Sequence, residues 1–259
     1  MTRIAALTIA LAGVATAGGS AGALLSPAHV VVIVFENKDA PTINASSAPT
    51  FTALGRRYAR LTTYSAVAHP SLPNYLALVS GSAHGITTDC VNCRIRGKTI
   101  GDQLSAAGRS WDAYAEGYPS GERFAKKHVP FLYFPGGAGH VRPLSDLDLR
   151  ALPAFAFVVP DLCHDMHDCS VATGDAWLAR FVRPLLVLPD TVVFVVFDEG
   201  VDGNHVVALA LGTDVRPHSV FAGRVDHYGL LRTIEDMWGL QHLGAAAHAR
   251  PITGIWRSR

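Results

Sequence analysis

Hard oxygen donors recur in this chain directly after apolar runs. Glu36-Asn37 follows the run 30–35, and Asp198-Glu199 follows the run 191–197. Carboxylate and amide oxygens of this kind suit a hard divalent cation such as Ca²⁺, Mg²⁺ or Mn²⁺; neighbouring imidazoles would shift the preference toward Zn²⁺. A third run, 155–159, leads into Pro160-Asp161 and then His164, Asp165, His167 and Asp168. One acidic pair after one strand is ordinarily a solvated turn or a helix cap. Three runs each ending in ligand-type residues argue for one shared site, because open α/β sheets bind ligands outside the carboxyl ends of their strands.

A nucleophile is also on offer. Residues 69–81 read His-Pro-Ser-Leu-Pro-Asn-Tyr-Leu-Ala-Leu-Val-Ser-Gly. Pro70 and Pro73 restrict the backbone around Ser71. The apolar run after Asn74 suits a helix, so Ser71 stands before a helix N-terminus, where amide donors and the helix dipole favour an anion. That placement fits an oxygen nucleophile attacking phosphorus, with a base or a metal to activate a weakly nucleophilic hydroxyl. The bland alternative is an ordinary N-cap serine between loop prolines. His69 either shapes that loop or reaches the site.

The elements that must position these groups follow from periodicity. The runs 30–35, 155–159, 191–197 and 206–211 are apolar and rich in β-branched residues, the pattern of buried parallel strands. Helical spacing covers 51–61, a short segment at 76–79, 100–107, 176–186 and 228–238, the last with Leu230, Leu231, Ile234 and Trp238 on one face. Alternating buried strands and helices predict a single α/β domain, with a mostly parallel central sheet flanked by helices. Residues 117–150, rich in Gly, Pro and aromatics, read as a long surface excursion.

The chain has 259 residues and a formal net charge of +1, with 49% hydrophobic and 17% charged residues. That balance excludes a disordered chain. With 18 Arg and only four Lys, it has no polybasic tail and no bulk charge for nucleic-acid binding. Nothing implies a stable partner. Residues 1–17 combine a basic start, an apolar core and an Ala15-Thr16-Ala17 end, the pattern of a cleavable export signal; an uncleaved N-terminal anchor is the other reading. Residues 1–25 therefore serve as signal and lead-in, and 26–259 form the catalytic domain of a secreted or cell-envelope protein. Export makes disulfides the preferred state of Cys90, Cys93, Cys163 and Cys169, with three connectivities open. A zinc site from Cys90, Cys93, Cys163 and His164, or a redox Cys90-Val-Asn-Cys93 pair, lacks supporting context.

Taken together, Glu36-Asn37, His69-Pro-Ser-Leu-Pro-Asn-Tyr75, Lys127-His128-Val-Pro130, Asp165-Met-His-Asp168, Gly174-Asp-Ala-Trp-Leu178, Phe197-Asp-Glu199 and His227-Tyr-Gly-Leu-Leu-Arg-Thr-Ile-Glu235 resemble, in order, the phosphoesterase family. That family comprises secreted acid phosphatases and bacterial phospholipases C, and its fold is similar to that of the alkaline phosphatase superfamily. The likeness is strongest to the small secreted acid phosphatases and covers roughly residues 29–256. It implies a metal-dependent phosphomonoesterase acting on small-molecule or lipid phosphate monoesters through a phosphoserine at Ser71. It further implies one divalent ion held by Glu36, Asn37, Ser71, Asp198 and Glu199, and phosphate contacts from Asn74, His128, His205 and His227. His167 would stand at the leaving group, with Asp165 beside it on the same face of an extended segment. Asp161 and His164 depart from the family pattern and would admit a second metal. The competing readings are a phosphodiesterase or phospholipase C on this fold and a non-enzymatic surface-binding protein. A serine esterase using Ser71 is disfavoured because no Gly-x-Ser-x-Gly frames that residue.

Overall fold

The structure, a computed structural model, describes residues 25–257. The expected export signal at 1–17 lies outside the described residues. Ten strands form: β1 (His29–Phe35), β2 (Ala59–Leu61), β3 (Tyr64–Ser65), β4 (Trp111–Ala115), β5 (Val141–Pro143), β6 (Phe155–Val159), β7 (Thr191–Phe197), β8 (Ala208–Leu211), β9 (Ser219–Phe221) and β10 (Val225–Asp226). Eight of them make one sheet in the order β5-β4-β6-β1-β7-β8-β2-β9, and β10 pairs with β3 separately. Only the pairings of β8, with β7 and with β2, are antiparallel. The expected mostly parallel α/β architecture is therefore the one observed.

β1 and β7 run in register, Phe35 opposite Phe197, so Glu36 and Asp198 leave adjacent strands at the same level. β6 lies on the other side of β1 and is also parallel to it, which brings the segment after Val159 to the same edge. All three strands are buried through almost their whole length. That explains their unbroken apolar sequences, since helices cover both faces.

Five α-helices accompany the sheet: α1 (Pro49–Arg57), α2 (Ser71–Ser80), α3 (Ile100–Ala106), α4 (Val171–Leu185) and α5 (His227–Trp238). Side chains alternate between the two faces of a strand. Phe35 of β1 meets Phe51 of α1 and Trp177 of α4, at centroid separations of 5.1 and 5.9 Å. Phe157 of β6, whose register partner is Val32, points to the opposite face and meets Tyr75 of α2 and Phe131. Thus α1 and α4 cover one face. On the other, α2 packs against α3 and α5. The buried Asp175 of α4 accepts the Thr50 and Phe51 amides at 3.1 and 3.0 Å, so one helix supplies the N-terminal cap of its neighbour.

Several expected boundaries shift. The helical spacing over 51–61 continues past the helix: α1 ends at Arg57, Tyr58 departs from helical geometry, and residues 59–61 become β2. The run 206–211 forms a strand only from Ala208. The helix at 176–186 starts earlier, at Val171, capped by the Ser170 side chain on the Thr173 amide. The short apolar segment at 76–79 belongs to a longer helix that begins at Ser71 itself. Residues 117–150 are not merely a surface excursion, since they supply β5 and bury His128, Val129, Phe131 and Tyr133.

Candidate active site

Ser71 is the first residue of α2, with Pro70 in extended conformation before it. The preceding loop is held by Asn74. Its Oδ1 accepts the Val67 and Ala68 amides, both at 3.0 Å, and its Nδ2 donates to the Ala68 and Pro70 carbonyls at 2.9 and 3.2 Å. From the other side, Asp89 accepts the Leu72 amide at 2.9 Å and the Lys127 ammonium at 2.8 Å. The hydroxyl of Ser71 is therefore aimed by a rigid turn, not by a freely rotating loop.

Its target is the Glu36 carboxylate at the end of β1. Ser71 Oγ lies 3.1 Å from Glu36 Oε2 and 3.1 Å from Glu199 Oε1. The Tyr75 hydroxyl, one helical turn beyond Ser71, donates to Glu36 Oε1. His128 Nε2 stands 3.2 Å from Glu36 Oε2, and its Nδ1 3.3 Å from Asp165 Oδ2. On the outer side, His69 Nδ1 contacts Glu199 Oε2 at 2.5 Å. Glu36 is the hub, with Ser71, Glu199 and His69 to one side and His128 and Asp165 to the other. The His69 side chain is 47% exposed and Glu199 only 6%, so the histidine marks the mouth of the site.

The carboxylates are too close and too dry to be charged unaided. Burial, followed by repulsion from Asp198 and Asp165, pushes Glu36 well above the ordinary carboxylate range. Burial and then Glu199 do the same to Asp198, and burial raises Glu199 itself. Asp165 is pushed up to about 7, chiefly by burial. Burial also holds His128 well below the usual imidazole range, and Lys127 adds to the effect, so its ring is neutral.

These residues fit a cation. Ser71 has one hydroxyl proton but two carboxylate neighbours, so with both ionised one oxygen–oxygen contact lacks a hydrogen and a cation would take its place. Asp198 Oδ2, Asp165 Oδ2 and both His128 nitrogens are buried without a hydrogen-bond partner. Such orphans are rare and call for a missing group. The Glu36, His128 and Asp165 ligand atoms lie within 4.8 Å of one another. Glu36, Asp198 and Glu199 come together as the sequence pattern predicts. Asn37 takes a left-handed backbone, φ 47°, and its backbone N–H donates to Asp198 Oδ1 at 3.1 Å. Asp165 and His128, assigned other tasks from sequence, join the ligand-type cluster.

Other expected roles change. His167 Nδ1 pairs with Asp168 Oδ1 at 2.6 Å, while Asp165 Oδ1 accepts only the His167 amide, at 2.7 Å. The extended segment expected to put Asp165 and His167 on one face does not form, because this loop is a series of turns, with Met166 at φ 79°. His167 still stands at the site, its ring 6.0 Å from that of His128. Asn74 has every hydrogen-bonding position committed to the loop and is fully buried, leaving nothing for a phosphate oxygen. His227 is likewise committed: Nε2 bonds the Asp198 carbonyl at 2.6 Å and Nδ1 the Tyr64 hydroxyl at 2.9 Å. Burial pulls its pKa down to about 4, so it positions β7's end as a neutral ring. His205 Nε2 bonds the Thr62 carbonyl at 3.0 Å and is not brought to the hub.

The cysteines pair locally, Cys90 with Cys93 and Cys163 with Cys169, which leaves no thiolate for the zinc reading. The second bridge encloses Asp165 and His167. Glu116, Asp161 and His164 gather nearby, His164 Nδ1 being 2.9 Å from Glu116 Oε2. His69, for which both readings stood open in the sequence, reaches the site through Glu199. Tyr75 and Asp89 were not singled out as site residues from sequence, and of these two only Tyr75 carried a signal, its place four residues after Ser71 in a helix.

A buried carboxylate hub with a helix-borne serine, at the carboxyl edge of a parallel sheet, belongs to a recognisable class. The fold matches a solved alkaline phosphatase superfamily protein from Vibrio parahaemolyticus, with a TM-score of 0.61 and 13% identity, over 88% of this chain and 71% of that one. It also matches phosphonate monoester hydrolase SpPMH from Silicibacter pomeroyi, with a TM-score of 0.57 and 11% identity over 89% and 78%. In sequence, the model of the Phosphoesterase family matches residues 40–241. The chain belongs to that family and is a hydrolase acting on phosphoric ester bonds. It is 35% identical to phosphatidylinositol-3-phosphatase of Mycobacterium tuberculosis (strain ATCC 25618 / H37Rv), over 92% of this chain and 86% of that protein. It is 30% identical to the phosphate-repressible acid phosphatase of Penicillium chrysogenum, over 71% of this chain but only 53% of that protein.

Proposed function

We propose that the chain is an exported, metal-dependent phosphomonoesterase that works through a phosphoserine at Ser71. The observation that carries this reading is the placement of Ser71 Oγ, 3.1 Å from carboxylate oxygens of both Glu36 and Glu199, on the first residue of α2. In the first half-reaction Ser71 loses its proton to one of these carboxylates. Its oxygen forms a bond to phosphorus while the bond from phosphorus to the leaving oxygen breaks. His167, held by Asp168, gives the departing alkoxide its proton. In the second half-reaction a water gives a proton back to His167 and attacks phosphorus. The serine–phosphorus bond breaks, and Ser71 recovers its proton from the carboxylate.

Glu36, Asp198 and Glu199 would hold the divalent ion, with Asn37, Asp165 and His128 at hand around them. A divalent ion supplies Lewis-acid stabilisation of charge on the phosphoryl oxygens and the serine oxygen. Tyr75 and Asn74 keep Glu36 and the Ser71 turn in place, which is positioning rather than contact with substrate. The two named relatives support a phosphate monoester substrate, one of them a phosphoinositide.

The test is to trap the intermediate. Protein quenched in acid during turnover should carry a phosphoryl group on the peptide containing Ser71, and Ser71→Ala protein should carry none. Phosphate on another residue, or turnover with no covalent phosphoenzyme, overturns the mechanism.

A further inference from the structure

One cavity takes no part in the chemistry above, yet a residue that lines it, Lys126, shares a helical turn with His128 of the hub. The cavity holds about 550 Å³, and Arg94, Lys126 and Tyr133 supply its cationic and hydroxyl groups; no carboxylate lines it. Tyr133 is 2% exposed, and its hydroxyl is buried without a hydrogen-bond partner. A buried hydroxyl left unpaired costs stability unless something meets it. Lys126 Nζ sits 5.0 Å from the centroid of the Tyr133 ring and donates to the Val91 carbonyl at 2.7 Å. Arg94 makes no ion pair among the described residues.

The backbone ties this cavity to the hub. Lys126, Lys127 and His128 form one turn of 3₁₀ helix. Lys126 lines the cavity, Lys127 holds Asp89 against the Leu72 amide, and His128 faces Glu36. Residues in such a helix rise about 2 Å each, so the first and third lie about 4 Å apart along its axis. Across the cavity, Ile95 is buried and donates its amide to the Tyr133 carbonyl at 2.9 Å. The residues around it, Arg94, Arg96 and Lys98, are exposed. The two cations that line the cavity, Arg94 and Lys126, have no carboxylate partner among the described residues.

We propose that this cavity binds a second anionic group of the substrate, so that the preferred substrate carries a phosphate or phosphodiester besides the phosphate that is cleaved. Arg94 supplies the planar donor fork that fits phosphate oxygens, Lys126 a second positive charge, and the Tyr133 hydroxyl a hydrogen bond. The proposal rests on the phosphomonoesterase reading and deepens it by naming what the substrate must carry. Both a soluble inositol bisphosphate and a phosphatidylinositol monophosphate satisfy it, the second through its diester.

The test compares p-nitrophenyl phosphate, a soluble inositol bisphosphate, and phosphatidylcholine vesicles containing a phosphatidylinositol monophosphate. Arg94→Ala should raise KM for the bisphosphate and for the vesicles by about tenfold or more, the size expected for losing a charged hydrogen bond. Arg94→Glu should raise it further, and Arg94→Lys should restore part of the loss. For all three variants, kcat/KM on p-nitrophenyl phosphate should stay within about twofold of wild type, as expected for a group remote from the reacting phosphorus. Equal losses on all three substrates, or no loss on the bisphosphate, overturn the proposal. A loss confined to vesicles also overturns it, because the cations would then be reading a membrane surface. Wild-type protein that hydrolyses none of the three overturns the parent reading and this one with it, whereas active wild type with an indifferent Arg94 overturns this one only.

Discussion

At the scale of single residues, the site separates groups that react from groups that aim. Ser71→Ala should lower turnover of p-nitrophenyl phosphate by about 10³-fold or more with an unchanged circular dichroism spectrum, since residues acting as a unit fail together. A variant that keeps more than a tenth of wild-type turnover would place the nucleophile elsewhere. Asn74→Ala is expected to fail differently. It strands the Val67 and Ala68 amides, at about 1–3 kcal/mol for each buried donor left unpaired, so the melting temperature should drop by several degrees. A variant that melts like wild type but binds substrate poorly would return Asn74 to phosphate binding. His167→Ala should slow hydrolysis of alkyl phosphates strongly and of p-nitrophenyl phosphate much less, because nitrophenolate leaves without a proton; equal losses would make His167 a positioning group. Glu36, Asp198 and Glu199 were legible as neighbours because residue type, spacing and the preceding strand agreed, and Ser71 because two prolines and an apolar helix frame it. The tasks of Asn74 and His227 were not, since an amide or an imidazole serves a loop carbonyl as readily as a phosphate. His128 was legible as a motif residue, but its burial among carboxylates depends on contacts from β1 and the Asp165 loop.

At the scale of elements, the legible pieces were those with long patterns. The strands β1, β6 and β7 announce themselves by continuous apolar runs. β4 carries Asp112 as its second residue and follows a glycine-ended helix, and β2, β3, β9 and β10 are two or three residues long. No period can be read from so few residues. α5 shows a different kind of hidden feature. Glu235, buried on this helix, accepts the Leu243 amide at 2.9 Å and faces the Gln103 side-chain amide. Burial raises its pKa to about 8 from an ordinary 4.5. The folded chain therefore keeps a proton that the unfolded chain releases. The stabilisation is complete below about pH 4.5 and fades as pH rises through about 8. Glu235→Gln, which cannot titrate, should be relatively more stable than wild type at pH 8 than at pH 5 when melting temperatures are compared. Identical pH profiles for the two proteins would show that Glu235 is charged in the fold.

At the scale of the whole molecule, the sheet gathers buried carboxylates from β1, β7 and the loop after β6 around one point. Their mutual repulsion is carried by the fold, so a divalent cation should stabilise the chain as well as activate it. Chelation should abolish phosphate release and lower the melting temperature. Adding Ca²⁺, Mg²⁺, Mn²⁺ or Zn²⁺ in turn should restore both, with about 5–10 °C of stabilisation for the preferred ion at a hundred times its dissociation constant. Activity that survives chelation with no thermal shift would leave the carboxylates as a proton store. No helix among the described residues is long and apolar enough to cross a membrane.

The borders of the sheet carry a separate consequence. Both outermost strands, β5 and β9, are only three residues long, and β5 ends in Pro143, which has no amide hydrogen to offer. Short, proline-marked borders give a passing chain too few unpaired groups to zip onto. The long, uncharged strands that would template aggregation, β1 and β7, lie inside the sheet, paired on both sides. The folded enzyme is thereby protected against edge-to-edge growth, and the aggregating species is a chain opened far enough to expose β1 or β7.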